Sequence, residues 1–250
     1  MENYKVNRFE MQVGEIPLVV YRPEGYFEKY KTIIHYHGWS SSVEKYELFG
    51  AIFAHYGFQV VLPEVIKHGV RGTAENFDSY MEIFDVIIQS IEEYWEIKDY
   101  IIDELEIDYN NLIISGHSMG GIISSGIFVR DLGLKGAIIY NSIMNYEEFY
   151  ENITGNVSLD ENYLDVFRGY DPIGKLENFN DRNMLIFVGE EDSIIPVEAM
   201  LGFQKKLKDS GIRDENIVYS FHSDGAHSIT YKMIDEALEY LLFILNEEHI

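Results

Sequence analysis

The chain has 250 residues, 46% hydrophobic and 14% aromatic, with 43 acidic against 19 basic side chains and a formal charge of −24. That apolar content sustains a buried core and excludes a disordered chain. The charge repels phosphate backbones and anionic lipid headgroups, so neither nucleic acid nor a membrane is an expected partner, and the lack of cysteine excludes disulfides, thiolate metal sites and cysteine nucleophiles.

The plain reading of the charge is a solvated acidic surface, and the sharper one is a preference for neutral or cationic substrates. The length fits one large α/β domain or two small ones. No run reaches the roughly 18 apolar residues of a membrane span. The opening segment "MENYKVNRFEMQVG" is polar and has no apolar signal core, so a cytoplasmic location is expected.

In chain order, the apolar runs are "YKVNRFEMQV" (4–13), "PLVVYR" (17–22), "KTIIHYH" (31–37), "FQVVLPE" (58–64), "NLIISG" (111–116), "GAIIYNS" (136–142), "NMLIFVG" (183–189) and "NIVYSFH" (216–222). The first two alternate and predict an antiparallel edge hairpin turning at "GEIP". The rest predict strands buried on both faces, as in a parallel sheet. Helical spacing falls between them. Leu48, Ile52 and Phe53 predict a helix within 43–56, and Phe77, Met81, Phe84, Ile87, Ile88, Ile91, Trp95, Ile102 and Leu105 predict a long one within 75–106. Further helices are expected at 119–132, 197–209 and 230–247. Alternating strand and helix imply a sheet covered on both sides. An excursion from Ile143 to Arg182, rich in Tyr, Phe, Asn and Glu, separates two strands and reads as a lid over a pocket or as an extra surface helix pair.

The segment "IISGHSMGG" carries G-x-S-x-G at Gly116-His117-Ser118-Met119-Gly120, after a strand run and before a helix run. This is the context of a nucleophile elbow, in which a strained turn lifts the serine above the sheet. A serine hydroxyl needs a base. Among eight histidines, His227 in "HSDGAHSI" follows the last strand run on a glycine-containing loop. The base needs an acid to fix its tautomer. Asp192 in "FVGEEDSIIP" follows another strand and is preferred, with Asp224 and Glu191 as rivals. The Met119 N–H, next after the nucleophile, and the Trp39 N–H in "HYHGWSSS" are the expected oxyanion donors.

On "HYHGWSSS", "PEVIKHGVRG", "ISGHSMGG", "FVGEEDSIIP" and "DGAHS", the chain resembles the α/β-hydrolase superfamily. Within it, the chain is most similar to the small bacterial esterases of the dienelactone-hydrolase and prolyl-oligopeptidase-like branch. The resemblance implies one α/β domain over 1–250: an eight-stranded, mostly parallel sheet with strand 2 antiparallel, helices on both faces, and a small helical lid insertion at 143–182. It also implies Ser118 as nucleophile, His227 as base and Asp192 as acid. Two departures stand out: an HG-x oxyanion loop in place of HGGG, and no cysteine nucleophile, which argues against dienelactone hydrolysis itself.

Other residues carry weaker expectations. His35 and His37 share a strand face as a metal pair would, yet no third ligand is evident, and neither metal nor cofactor is expected. His117 reads as a hydrogen-bonded residue under the elbow. His68 and Arg71 fall near the pocket rim, as loop anchors or substrate contacts. Tyr146, Phe149, Tyr150, Tyr163 and Phe167 are candidates for an acyl or aromatic pocket, or for the insertion's own core. The expected activity is hydrolysis of small carboxylic esters through an acyl-enzyme by a monomer or homodimer. Peptidase, amidase, thioesterase or acyltransferase chemistry with the same residues, or a non-catalytic small-molecule-binding protein on this fold, are the alternatives.

Overall fold

A computed structural model of the chain describes residues 3–25, 27–74, 80–154 and 161–246, without the side chains of 80–81, 151–154 and 246. Phe77 and Met81 therefore lie outside the described side chains. Eight strands form one sheet: β1 (Val6–Val13), β2 (Ile16–Pro23), β3 (Tyr30–Tyr36), β4 (Gln59–Pro63), β5 (Ile107–His117), β6 (Gly136–Tyr140), β7 (Asn183–Gly189) and β8 (Ile217–His222). Their spatial order is β1-β2-β4-β3-β5-β6-β7-β8. β2 runs antiparallel to both β1 and β4, and every pairing from β4 to β8 is parallel.

The helices are α1 (Glu47–His55), α2 (Tyr80–Glu104), α3 (Met119–Phe128), α4 (Tyr146–Thr154), α5 (Glu161–Tyr170), α6 (Val197–Asp209) and α7 (Tyr231–Asn246). Alternate residues of each central strand feed opposite cores, as the two-residue period of a strand requires. Ile34, Ile114, Ile139 and Ile186 pack under α2, α3 and α6. Ile33, Ile113, Ile138 and Leu185 pack under α1 and α7. Each such side chain contributes about 1.5–3 kcal/mol by leaving water. Every residue of α3 is buried, so it forms the inner pillar behind the elbow.

Two helix-face expectations are corrected. Leu48 is exposed, because α1 turns Phe49, Phe53 and Ala54 to the sheet instead. Trp95 lies partly outside the core, where Lys98 Nζ sits 4.9 Å from its ring centroid. The 143–182 excursion folds as α4, α5 and a 3-10 segment at Pro172–Phe179. It is fastened to α2 by Tyr163 Oη donating to Asp85 Oδ1 at 2.8 Å and Tyr170 Oη donating to Glu92 Oε1 at 2.5 Å.

Candidate active site

Ser118, Asp192 and His227 meet beyond the C-terminal ends of the parallel strands, the edge where open α/β sheets gather their functional loops. Ser118 joins β5 to α3 with φ 56° and ψ −122°, a left-handed conformation that costs a non-glycine residue free energy. The flanking glycines make the turn possible. A Cβ on Gly116 would lie 2.0 Å from Gly120 O, and one on Gly120 would lie 2.0 Å from Tyr36 O. Gly121 abuts Ser142, whose hydroxyl donates to Ser118 O at 2.7 Å and pins the turn.

His227 Nε2 lies 2.8 Å from Ser118 Oγ, and His227 Nδ1 lies 2.6 Å from Asp192 Oδ2. A carboxylate facing Nδ1 keeps the proton there, which leaves Nε2 free to accept from the serine. Asp192 Oδ1 accepts from the Ile194 and Ile195 N–H groups at 2.8 and 2.9 Å, so the carboxylate has one orientation. Neither Glu191 nor Asp224 takes that place beside His227.

Asn141, which sequence reasoning missed, ties the two loops together. It follows β6 with φ 44° and is almost fully buried. Its Nδ2 donates to Ala226 O at 3.2 Å and Ser228 O at 2.9 Å, on either side of His227. Its Oδ1 accepts from Gly189 N at 3.0 Å, at the start of the Asp192 loop. The run "YNS" after a strand is the only signal in sequence, and it does not say which loops the amide will meet.

The loop after β3 is held from behind. A Cβ on Gly38 would lie 3.3 Å from Ser118 Cβ, so the Gly38-Trp39 backbone runs directly beside the serine. Met119 opens α3, where the first N–H groups have no intrahelical acceptor. Tyr46 Oη accepts from Gly38 N at 3.3 Å and meets His117 Nδ1 at 2.7 Å, joining this loop to the elbow. Burial pushes the Tyr46 phenol up to about 12, so it remains a donor toward that nitrogen. His37 Nε2 lies 2.9 Å from buried Glu64 Oε1, and His37 Nδ1 lies 2.9 Å from Gly38 O. Gly69, at φ 49°, leaves room for that carboxylate, since a Cβ there would stand 2.1 Å from Glu64 Oε2. The His117 ring lies tilted at 43° against that of His227 with centroids 5.0 Å apart, and burial together with His227 depresses its pKa to about 3.

The five expected substrate contacts are used for packing and anchoring. His68 is buried and neutral: Nδ1 donates to Ile66 O at 2.8 Å, Nε2 accepts from Ser40 N at 3.2 Å, and burial lowers its pKa. Arg71 spends its guanidinium on Glu93, at 2.7 and 2.8 Å. Tyr146, Phe149 and Phe167 are core residues, with Phe84 4.4 Å from Phe167 and Tyr146 stacked 4.9 Å from it, centroid to centroid. His35, buried on β3, contacts Ser115 Oγ at 2.9 Å. Among the described residues, no group of three or more His, Asp or Glu side chains is placed to hold a metal ion, and no helix is long and apolar enough to cross a membrane.

The sheet order, the strained serine after β5 and the imidazole delivered after β8 define a class: a serine hydrolase on the α/β-hydrolase fold. The model of the prolyl oligopeptidase family matches residues 49–247, and the chain belongs to that family. It is 23% identical to esterase YjfP of Escherichia coli (strain K12) over 238 residues, covering 92% of this chain and 95% of that one. Among solved structures, it is similar to TT1662 from Thermus thermophilus, with a TM-score of 0.80, 17% identity, and coverage of 97% of this chain and 99% of that one. It is also similar to acylaminoacyl peptidase from Pyrococcus horikoshii, with a TM-score of 0.71, 18% identity, and coverage of 99% of this chain but 42% of that one.

Proposed function

We propose that the protein hydrolyses small carboxylic esters, with Ser118 as nucleophile, His227 as general base and then acid, and Asp192 as the group that orients the imidazole. The observation that carries this reading is the unbroken line from Asp192 Oδ2 through His227 to Ser118 Oγ, at 2.6 and 2.8 Å. His227 Nε2 takes the Oγ proton as Oγ attacks the ester carbonyl, and the oxyanion turns toward the Trp39 and Met119 N–H groups. Donors of this kind are worth about 10²–10³ in rate where side chains supply them. Nε2 then protonates the leaving alcohol, and a water activated by the same nitrogen releases the acid.

The reading is tested with p-nitrophenyl acetate and butyrate on wild type and S118A, with a fluorophosphonate adduct mapped by mass spectrometry. The expected result is a burst of p-nitrophenol, an adduct on Ser118, and turnover lowered by about 10⁶ in S118A. Equal turnover in both proteins would remove Ser118 from the mechanism. A p-nitroanilide run alongside separates ester from amide cleavage.

A further inference from the structure

Beside His227, a cavity of about 560 Å³ opens between the first turns of α1 and α7. His117 and His227 form its inner wall, and Leu48, Phe49, Tyr231 and Ile234 supply its apolar sides. Among the described residues no Asp or Glu lines it, in a chain with 43 acidic residues, and Lys45 is the lysine in its lining. Leu48 is 58% exposed and Tyr231 71% exposed, so two large side chains stand against solvent around one opening. Scattered exposed apolar residues mean little, but a cluster of them around a concave opening marks a binding surface.

The proton inventory says which part of an ester belongs there. In acylation the Oγ–C bond forms as the Ser118 proton passes to His227 Nε2. On collapse, the bond from carbon to the alcohol oxygen breaks, and the same nitrogen returns that proton to the departing oxygen. The departing oxygen therefore sits beside His227, and whatever it carries extends past the imidazole. The cavity is walled by His227, whereas Ser118, Trp39 and Met119, which flank the carbonyl, are not among its lining residues.

We propose that this cavity receives the leaving-alcohol part of the ester, that the alcohol is apolar, and that Leu48 and Tyr231 are specificity-determining residues. The proposal rests on the ester-hydrolase reading above. The volume falls within the range of small-molecule sites and accommodates a ring or a short branched chain. An apolar alcohol matches the walls that Leu48, Phe49, Ile229 and Ile234 supply, with Lys45 the one lysine among the lining residues.

The test measures kcat/KM for the acetate esters of methanol, butanol and benzyl alcohol, and separately for the methyl esters of acetic, butyric and hexanoic acids. Wild type, L48D and L48M are compared. Leu48 lies outside the core, so all three proteins should share one urea unfolding midpoint. The expected result is a rise in kcat/KM of at least about tenfold from methyl to benzyl acetate in wild type. L48D should abolish that rise, L48M should restore it, and the acyl series should be the same in all three. Deacylation of the shared acetyl-enzyme no longer involves the alcohol, so its rate should not change in L48D.

A flat alcohol series in wild type would overturn the proposal, as would an L48D effect confined to the acyl series. Fluorophosphonate labelling of Ser118, run on the same samples, separates the two readings. Labelled protein with the wrong alcohol dependence sinks the placement of the alcohol alone. Unlabelled protein that turns over no ester sinks the hydrolase reading and this proposal with it.

Discussion

The 143–182 insertion and the α1–α7 cleft both carry aromatic and aliphatic side chains, and they use them in opposite ways. Tyr146 and Phe167 of the insertion have essentially no exposed surface; Phe167 packs on Phe84 of α2, and Tyr146 stacks on Phe167. Leu48 and Tyr231 of the cleft stand open to solvent on either side of a cavity. Composition does not distinguish the two, since both look like the wall of an apolar pocket. What separates them is whether a neighbouring element covers the side chain. In the insertion, α2 does. In the cleft, a cavity separates the two helix starts and leaves Leu48 and Tyr231 exposed.

The widest separation between the two regions should appear in stability. F167A empties a fully buried ring site and should lower unfolding stability by about 3–5 kcal/mol in urea titration. The preference of the enzyme among acetate esters should stay as in wild type. An F167A protein with native stability and altered ester selectivity would make the insertion a substrate wall after all.

Next comes the seam between the regions, Asn141, whose amide bridges the Asp192 and His227 loops from the end of β6. N141D keeps the shape but turns an acceptor toward Ala226 O and Ser228 O. A misplaced imidazole of this kind should lower kcat by about 10² with KM little changed. N141D with full kcat would show that the two loops hold their places without the amide.

The smallest effect belongs to the floor of the cleft. His117 is held near 3 in the fold, below its ordinary 6.5, because burial and His227 disfavour its charged form. The unfolded chain therefore binds the extra proton first. Stability linked to His117 is present above pH 6.5 and is lost as pH falls toward 3, at up to about 1.4 kcal/mol per pH unit. H117N should flatten the acid limb of the stability profile between pH 6.5 and 5 relative to wild type. Identical slopes in the two proteins would remove His117 from that limb.

Much of this was legible in the chain. The eight apolar runs mark the eight strands because the edge hairpin alternates with a two-residue period and strands read as buried on both faces leave near-continuous β-branched runs. The elbow is equally local. Gly116 and Gly120 flank Ser118 because any Cβ at either place would collide with backbone. His68 and Arg71 were harder to read. A histidine and an arginine on a loop after a strand suit substrate contact and loop anchoring equally, and only Ser40 N, Ile66 O and Glu93 decide between them.

By itself, then, the sequence determined the strand count, the sharp turn at Ser118 and the order in which serine, aspartate and histidine arrive, since each depends on residues within a few positions of one another. Only the tertiary structure decided that Asn141 clamps two loops 48 and 85 residues downstream, that Tyr46 joins the loop after β3 to His117, and that the open cavity lies by α1 and α7. These depend on side chains that meet across different strands and helices. A hydrogen bond or a covered face between distant segments leaves no period or spacing in the chain from which it could be read.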